Sequence, residues 1–492
     1  MSHCGQSVSG QRLRIQLLSP AGEIHRGESG IFKTALRYAP LTLTTLAALV
    51  PPELDAQITI QDEGVQPLDL DFPPSLVGIT AITGTSLRAY DIADRLRAKG
   101  HTVVIGGVHA TLLPDEAARH ADAIVLSYAE KSWPQLVRDY AAGKLQSRYF
   151  ARTGTRLEGV PIARRDLLKK KKYATINSIE ATRGCPHRCD FCAVPAAWSG
   201  IYAHRPVEEV VAELRTFEGR TALFIDLSPV EDVNYAKSLY RAMIPLGIRW
   251  VGLATTRIAE DAELLDLAAK SGCKGLLIGF ESVSQDTLNE TRKGFHKAQN
   301  YGDVVKRLHD HGIGIQGCFV FGFDSDDVSV FERTVEFVDR TRIDLPRYAV
   351  MTPFPGTGYF RRLESSGRLL HKNWSLYDVE HVVFQPKQMS PERLQEGLEW
   401  AWRQSYSWRS IFARLRGAPW SILPLWLSLN FGYRYYAHHL HEKTGPVVYR
   451  DQKYMEQAAL ELSPLAELPT ATRSCSTTSA AAELLSLSVG RE

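Results

Sequence analysis

Six apolar segments alternate with helical patterns between residues 173 and 370. The segments have the short apolar runs of buried parallel strands, and they read TINSIEATRG, TALFIDLS, RWVGLATT, KGLLIGFES, GIQGCFVFGF and LPRYAVMTPF. The stretches between them, such as PVEEVVAELRTF and VFERTVEFVDRT, carry apolar residues at helical spacing. Six strand–helix units in a row predict a partial (β/α)6 barrel of the TIM type, with its active site at the carboxyl ends of the strands.

The first 150 residues carry a second alternation of the same α/β kind. The predicted strands read LRIQLLSP, QITIQDEG, SLVGIT, HTVVIGG and DAIVLSYAE, and helical stretches such as SLRAYDIADRLRAKG separate them. This pattern predicts a doubly wound, Rossmann-like parallel sheet, which binds ligands at the carboxyl ends of its strands. The polar and glycine-rich residues expected at those ends are Thr80, Thr83, Gly84, Thr85, Gly106, Gly107, His109, Ser127 and Tyr128.

Three further regions complete the predicted organisation. Residues 151–172 form a linker that ends in four lysines, a run typical of a solvated surface. Residues 371–455 are rich in Trp, Tyr and Leu and predict a helical C-terminal domain, and residues 456–492 are small and polar and predict a flexible tail. The two α/β domains are therefore expected at 1–150 and 173–370.

Composition excludes several classes of protein. A formal net charge of +3 in 492 residues gives no reason to expect a nucleic-acid surface. The N-terminus lacks the apolar core of a signal peptide, and no apolar run reaches transmembrane length. The stretch APWSILPLWLSLNFGY is short and interrupted by Pro424, so it predicts a buried or interfacial helix and leaves peripheral membrane contact open. Seven cysteines, three of them clustered, indicate a reducing compartment, and we expect a cytoplasmic protein.

The clustered cysteines, Cys185, Cys189 and Cys192, have the spacing C-x3-C-x2-C in the stretch ATRGCPHRCDFCAVP. The stretch directly follows the first predicted barrel strand, which places it on the active face. Thiolates at close spacing bind zinc or an iron–sulfur cluster. Structural zinc takes four protein ligands, but the sequence offers no second C-x2-C or H-x3-H pair, and His187 inside the loop would be cramped as a ligand. A four-iron cubane also takes four ligands, so three cysteines would leave one iron open to a substrate.

The remaining cysteines are poor candidates for a fourth ligand. Cys273 lies near the start of a predicted strand and Cys318 lies inside another, so we expect both to be small core residues. Cys4 and Cys475 lie near the two ends of the chain. The sequence therefore predicts an incomplete protein ligand set of three thiolates.

The cysteine loop resembles that of the radical S-adenosylmethionine (radical SAM) superfamily, and the resemblance covers roughly residues 173–370. It implies a 4Fe-4S cluster on Cys185, Cys189 and Cys192, with the amino and carboxyl groups of SAM on the fourth iron. An electron from a donor such as flavodoxin or ferredoxin would then cleave SAM to a 5′-deoxyadenosyl radical. Phe191 matches the aromatic residue that faces adenine. The stretch that matches the methionine-binding region comprises Gly279, Phe280, Glu281 and Ser282.

A doubly wound domain before such a barrel resembles the cobalamin-binding members of the superfamily. The stretch GGVHATLLPDEA carries the resemblance, although SYAE stands where the family usually has G-E-G-E. Glycines at positions 106 and 107 would let the backbone approach a corrin closely. The alternative is a degenerate sheet that only docks against the barrel. The implied cobalamin-binding residues are Thr80, Thr83, Gly106, Gly107, His109 and Ser127.

The C-terminal region is similar to the branch that contains hopanoid methylases and related lipid- or pigment-modifying enzymes. The resemblance implies a cobalamin-dependent methyltransferase that acts on an unactivated carbon of a small, hydrophobic metabolite and uses two molecules of SAM. Where relatives have F-x-D-D-N, this chain has FIDLSPVEDVN and keeps only Asp226, a candidate catalytic residue expected to face substrate. Radical cyclisation, oxidation or hydroxylation and aminocarboxypropyl transfer therefore stay open, as does a non-catalytic iron–sulfur or cobalamin sensor.

Overall fold

Two six-stranded parallel sheets organise the chain, of which a computed structural model describes residues 12–22, 38–151, 154, 157–416 and 423–444. The strands of the first sheet are β1 (Arg14–Ser19), β2 (Gln57–Asp62), β3 (Leu76–Thr80), β4 (Thr102–Gly106), β5 (Ala123–Leu126) and β6 (Arg148–Phe150). Their order is β2-β1-β3-β4-β5-β6, and every pair is parallel.

Helices cover both faces of this sheet. They are α1 (Leu41–Ala48), α2 (Ser86–Ala98), α3 (Val108–Leu112), α4 (Pro114–Ala117) and α5 (Ser132–Ala141). One apolar cluster joins the sheet to α2 through Ile92 and Leu96, and a second joins it to α1 and α5 through Leu43 and Leu136. The predicted doubly wound sheet is therefore confirmed.

The second sheet is the partial barrel. Its strands are β7 (Ser178–Ile179), β10 (Thr221–Phe224), β11 (Arg249–Ala254), β12 (Cys273–Glu281), β13 (Gly314–Phe321) and β14 (Leu345–Val350), and a short antiparallel hairpin is formed by β8 (Thr182–Gly184) and β9 (Tyr202–His204). The order β14-β13-β12-β11-β10-β7 leaves β7 and β14 as edges, as predicted for a six-stranded partial barrel. The helices of this region are α6 (Ala193–Trp198), α7 (Val207–Leu214), α8 (Val233–Met243), α9 (Ala262–Lys270), α10 (Gln285–Glu290), α11 (Tyr301–Asp310), α12 (Val330–Thr341) and α13 (Gly358–Ser365).

Three C-terminal helices follow: α14 (Pro391–Ser405), α15 (Trp408–Leu415) and α16 (Leu423–Thr444). Helix α16 lies beside the barrel, because the Trp426 indole packs against Gly314 at the start of β13. The Asn430 amide donates a 3.2 Å hydrogen bond to the carbonyl of Asp344, just before β14. The predicted helical region is confirmed for the described residues. The predicted tail at 456–492 lies outside them, and the domain boundaries stay predictions.

No helix among the described residues is both long enough and apolar enough to cross a membrane. Helices α15 and α16 nevertheless expose aromatic side chains, with Trp408 49%, Phe412 56% and Phe431 42% exposed. Trp408 contacts both phenylalanine rings, so the three form one patch. Peripheral membrane contact stays a prediction.

The barrel strands present two different faces. Phe280 of β12 packs on Tyr301 of α11, and Tyr348 of β14 packs on Trp402 of α14, so these buried positions face the outer helices. The alternate positions of the same strands are only half-buried. Because side chains alternate along a strand, the half-buried positions line the inside of the barrel.

The two sheets meet along the side that carries the cysteine loop. Tyr128, just after β5, stacks on Trp198 of α6 with ring centroids 5.3 Å apart. Arg183 of β8 forms an ion pair with Glu130 and a 2.7 Å ion pair with Glu180. These contacts bring the carboxyl ends of β3 to β5 next to the loop between β8 and α6.

Candidate functional site

The loop between β8 and α6 holds Cys185, Cys189 and Cys192 as free, half-buried thiols. Cys189 and Cys192 line an open cleft of about 330 Å³. Burial raises the pKa of all three thiols, to about 12 for Cys189 and about 11 for Cys192. A thiolate at such a position needs a nearby cation, which iron would supply. The donor set therefore fits a cluster bound through three cysteines.

The arrangement of side chains also bears on whether the chain could hold a single metal ion. In the part of the chain that the structure describes, no three or more His, Cys, Asp or Glu side chains are arranged to hold one ion. The thiolates of a cubane bind separate irons and do not converge on one point. This observation therefore concerns single ions only.

Asp190 anchors the cysteine loop to α13. Its backbone N–H donates a 3.2 Å hydrogen bond to the carbonyl of Thr291, and its own carbonyl accepts one from Tyr359 at 3.1 Å. Its carboxylate pairs with Arg362. A Cβ on Gly358 would collide with that carboxylate, so a larger residue there would displace the Asp190 side chain. These contacts hold the cysteine loop against α13.

Glu231 holds the loop from the opposite side. One carboxylate oxygen lies 2.9 Å from His187 Nε2 and 2.6 Å from Arg257 Nη1, and the other accepts a 2.8 Å hydrogen bond from Ser228. Burial raises the pKa of Glu231, but its contacts with His187, Ser228 and Arg257 outweigh burial and bring it to about 2. Glu231 is therefore a buried anion that ties the cysteine loop to the loop after β10.

Replacing Glu231 by Gln should destabilise this side of the loop. The amide keeps the shape, but it leaves the Arg257 guanidinium without its anion and removes the carboxylate that contacts His187, which typically costs about 1–3 kcal/mol. We expect a lower melting temperature and faster iron release to a chelator. Glu260→Gln is the matched control, because Glu260 is exposed on a nearby turn. Equal melting and equal iron release in the two variants would contradict the anchoring role.

The predicted methionine-binding stretch lies at the end of β12. Glu281 has φ +63, a left-handed conformation that side chains rarely adopt, and the pairing of β12 with β13 shifts register between Gly279 and Glu281. Lys293 Nζ donates hydrogen bonds to the Gly279 carbonyl at 2.9 Å and to Glu281 Oε1 at 2.5 Å. A Cβ at Gly279 would overlap the Glu281 carboxylate, so a larger residue there would shift the Glu281 side chain. The left-handed backbone of Glu281, the register shift beside it and its ion pair with Lys293 therefore all lie in the predicted SAM region.

The other predicted SAM contacts occupy different surroundings. The rings of Phe191 and Phe323 meet edge to face with centroids 5.9 Å apart. Phe280 is buried against α11 and faces away from the inside of the barrel. Ser282 is buried, and its hydroxyl accepts a 3.1 Å hydrogen bond from the Ser284 N–H. The roles of these residues toward SAM stay predictions.

Asp226 is completely buried beneath the start of the cysteine loop. Its Oδ1 accepts hydrogen bonds from the Ala181 N–H at 3.0 Å, from the Thr182 hydroxyl at 2.8 Å and from the Thr182 N–H. Burial raises its pKa to about 7. These are the contacts of a residue that positions the approach to the cysteine loop, and the catalytic role predicted for it stays a prediction.

The predicted cobalamin residues gather at the carboxyl ends of β3, β4 and β5. Gly107 has φ +99, and a Cβ there would lie 2.7 Å from the Ala81 carbonyl oxygen and 3.1 Å from Thr80 Oγ1. At Gly106 the nearest atom would be the Val125 carbonyl oxygen at 3.5 Å, so space remains. Ser127 is left-handed with φ +61. At Gly106 and Gly107 no side chain covers the backbone of this edge of the sheet.

His109 lies next to this edge but is enclosed. Its Nδ1 lies 3.3 Å from the Thr83 hydroxyl and its Nε2 lies 3.2 Å from Glu116, whose other oxygen accepts a 3.2 Å hydrogen bond from Trp374. The imidazole ring is buried. Both ring nitrogens therefore have partners, and the predicted cobalamin contacts of Thr83 and His109 stay predictions.

Unpartnered polar atoms border the same edge. The Tyr128 hydroxyl and the Trp198 indole N–H are buried and have no hydrogen-bond partner among the described residues. Buried polar atoms are normally satisfied. The glycine edge, which no side chain covers, lies beside these unpaired donors and fits a large ligand with polar side groups. A corrin is a ligand of this kind.

Sequence patterns did not reveal Glu231 or Lys293. Glu231 falls within the FIDLSPVEDVN segment, which departs from the family pattern. That departure is the one sequence feature that could have pointed to Glu231. Lys293 is distant from Glu281 in sequence and carried no signal of its own. Cys318 was predicted in the core, but it is half-buried on the inner face of β13.

Comparison with known proteins gives three findings. Residues 179–338 match the model of the radical SAM superfamily. The chain is 35% identical over 392 residues to the bacteriochlorophyllide d C-12(1)-methyltransferase of Chlorobaculum tepidum, covering 77% of this chain and 85% of that enzyme. It is 23% identical over 370 residues to the hopanoid C-2 methylase of Rhodopseudomonas palustris, covering 70% and 68%.

A solved structure shares the fold. The radical S-adenosylmethionine methyltransferase TsrM from Kitasatospora setae, solved with cobalamin and a 4Fe-4S cluster bound, superposes with a TM-score of 0.64. The match covers 91% of this chain and 100% of that one at 16% sequence identity. At this identity the likeness concerns the fold alone.

Proposed function

The chain belongs to the radical SAM superfamily, in its branch of cobalamin-dependent methyltransferases, and we propose that it methylates an unactivated carbon of a chlorophyllide-type tetrapyrrole. The observation that carries the choice of substrate is the 35% identity to a bacteriochlorophyllide d methyltransferase across 85% of that enzyme. A planar macrocycle is also largely apolar, which suits the apolar inward positions of β10 to β12.

The cofactor sites follow from the residues already described. Cys185, Cys189 and Cys192 would hold the 4Fe-4S cluster. Phe191 and the stretch 279–282 would hold SAM beside it. Thr80, Gly106, Gly107 and Ser127 would form the edge that receives cobalamin, with Thr83 and His109 behind it. When bound, the cluster supplies the electron that cleaves SAM, and the corrin carries the methyl group.

The protein itself orients these groups and keeps water out. Lys293 neutralises the Glu281 carboxylate next to the cysteine loop. Leu223, Val251 and Leu277 are half-buried at inward positions of β10, β11 and β12. A radical needs a dry, apolar channel between the point where it forms and the carbon that reacts. We expect these side chains to line such a channel.

The partners and the location belong to the same proposal. We expect a small-molecule substrate and an electron donor such as flavodoxin or ferredoxin, and we expect no nucleic acid. The five cysteines in the described part of the chain are all free. Free thiols and a cluster suit a reducing compartment, which supports a cytoplasmic location.

The products derived from SAM test the reaction type. Anaerobically reconstituted enzyme with bacteriochlorophyllide d, cobalamin, SAM and a reductant should release S-adenosylhomocysteine and 5′-deoxyadenosine in near-equal amounts. The first product reports use of SAM as the methyl source and the second reports hydrogen abstraction. Chromatography of the quenched mixture measures both products together with the methylated pigment.

Other product patterns would contradict methyl transfer in distinct ways. Deoxyadenosine alone would indicate cyclisation, oxidation or hydroxylation. Methylthioadenosine would indicate transfer of the aminocarboxypropyl group. No SAM cleavage with a full cluster would favour a sensor.

A further inference from the structure

The inside of the barrel has an apolar side and a polar side. The inward positions of β10 to β12 carry Leu223, Val251 and Leu277. Those of β13 and β14 include Gln316 and Arg347. An interior that is apolar on one side and carries a cation on the other is suited to an apolar molecule with an acidic group.

Arg347 lies level with the predicted SAM region. In the strand register, Gly279 of β12 pairs with Cys318 of β13, and Cys318 pairs with Arg347 of β14. Arg347 also interacts electrostatically with Tyr38, which bridges to Thr175 just before β7. Arg347 therefore lies on the β14 edge, level with the predicted SAM region.

The Arg347 guanidinium has no counterion in contact. Among the described residues, no carboxylate lies within 4 Å of it and no acceptor takes a hydrogen bond from it, whereas the buried Arg165 and Arg205 both contact Glu213 at 2.6 Å. A guanidinium stays charged under all ordinary conditions. A partly desolvated charge without a partner costs free energy, so this position is suited to an anion that arrives from outside.

The surroundings of Arg347 supply further polar groups. Helix α16 contributes Tyr433, whose hydroxyl accepts a 2.7 Å hydrogen bond from Gln316, and Tyr436, which lies beside Glu380. Glu380 is buried and faces the same guanidinium. Burial raises the pKa of Glu380 to about 7, although Arg347 lowers it.

The backbone next to Glu380 is strained. Val379, the preceding residue, has φ +68, a conformation that is an outlier for a β-branched side chain. Its carbonyl accepts a 2.7 Å hydrogen bond from the Val350 N–H, and the Asp378 carboxylate accepts a 3.0 Å hydrogen bond from the Glu380 N–H. Strain of this kind persists where the surrounding structure enforces it, as at ligand sites.

We propose that Arg347 binds a carboxylate of the substrate inside the barrel, with Gln316 and Tyr433 around the same group and Glu380 next to the guanidinium. The inference rests on the proposed function and deepens it, because it assigns the substrate class as an apolar macrocycle with a free carboxylic acid. A chlorophyllide carries such an acid on its propionate arm, whereas its methyl ester does not. Arg347 would fix the orientation of the ring against the apolar wall.

The test compares binding of two forms of one pigment. Full-length enzyme loaded with cluster and cobalamin is titrated anaerobically with bacteriochlorophyllide d and with its methyl ester, and pigment fluorescence gives each Kd. Wild-type enzyme should prefer the acid. Arg347→Gln should weaken binding of the acid by about 10- to 100-fold, the usual loss for a charge-assisted hydrogen bond, and should leave binding of the ester unchanged.

Two variants serve as controls. Arg347→Lys keeps the charge but loses the two-pronged geometry and should recover part of the preference for the acid. Arg393→Gln removes an arginine that is exposed on α14 and should behave as wild type. Iron content, corrin content and melting temperature show whether each variant is folded.

The outcomes separate the inference from the proposed function. If Arg347→Gln binds acid and ester as wild type does, or loses both equally, Arg347 does not recognise the carboxylate while methylation of the pigment can still stand. If wild-type enzyme binds neither pigment yet cleaves SAM with another substrate, both the proposed substrate and this inference are wrong.

Discussion

Replacing Cys185, Cys189 or Cys192 by alanine is expected to reduce the iron content from about four atoms per chain, the content of one cubane, to near zero. Each thiolate would bind a different iron, and no other cysteine in the described residues lies on the loop between β8 and α6. The thiol at Cys273 is buried at the start of β12, at the opposite end of the strand from Glu281. Iron and sulfide analysis after anaerobic reconstitution, together with the cluster absorbance, measures the loss.

Cys273→Ala and Cys318→Ala are the matched controls for this experiment. Both remove a free thiol of the same barrel, and both should keep the full cluster. Loss of SAM cleavage should accompany loss of iron in the three loop variants only. A loop variant that keeps both the cluster and SAM cleavage would show that the three-thiolate assignment is wrong.

The fold could be predicted because its signals are local in the sequence. Short apolar runs such as TALFIDLS and KGLLIGFES are bounded by helical patterns, and that alternation is enough to specify parallel strands on a barrel. The position of the cysteine loop follows directly, because it comes after the first of these strands. The same reasoning placed the glycines 106 and 107 at the end of a sheet strand.

The contacts around the site could not be predicted in the same way. Glu231 reaches His187 from 44 residues further along the chain, and no spacing rule connects two loops of a barrel. Asp226 kept its place in the family pattern, yet its hydrogen bonds go to Ala181 and Thr182 because β7 and β10 are neighbours in the sheet. Arg347 looks like an ordinary strand residue until the register of β12 to β14 is known. Side-chain partners of this kind depend on topology, which a pattern of single segments does not contain.

The largest effect on cobalamin is expected from Gly107→Phe. At Gly107 the φ of +99 already disfavours any side chain, and a Cβ would lie 2.7 Å from the Ala81 carbonyl oxygen and 3.0 Å from its nitrogen. Those atoms are backbone at the end of β3, so the turn after β4 must move. A corrin that rests on this edge should therefore be lost, and we expect corrin content to fall from near one per chain to near zero. Iron content should stay unchanged, because the cysteines lie on the barrel.

Gly100→Phe is the control for placing a bulky side chain at a positive φ away from the sheet edge. Gly100 also has a positive φ, of +85, but no atom lies within 4 Å of where its Cβ would be. Both variants place a side chain at a positive φ, but Gly107, with φ +99 and ψ −173, lies in a region that is essentially restricted to glycine. Only Gly107→Phe also disturbs the edge that would receive the corrin. Absorbance of the extracted corrin and iron analysis on the same samples give the two contents.

Equal corrin in the two variants would mean that the turn after β4 does not hold cobalamin. Loss of corrin together with iron in Gly107→Phe would mean that the substitution unfolds the chain rather than closing one site, because a local change at the end of β4 leaves the three thiols of the barrel where they are.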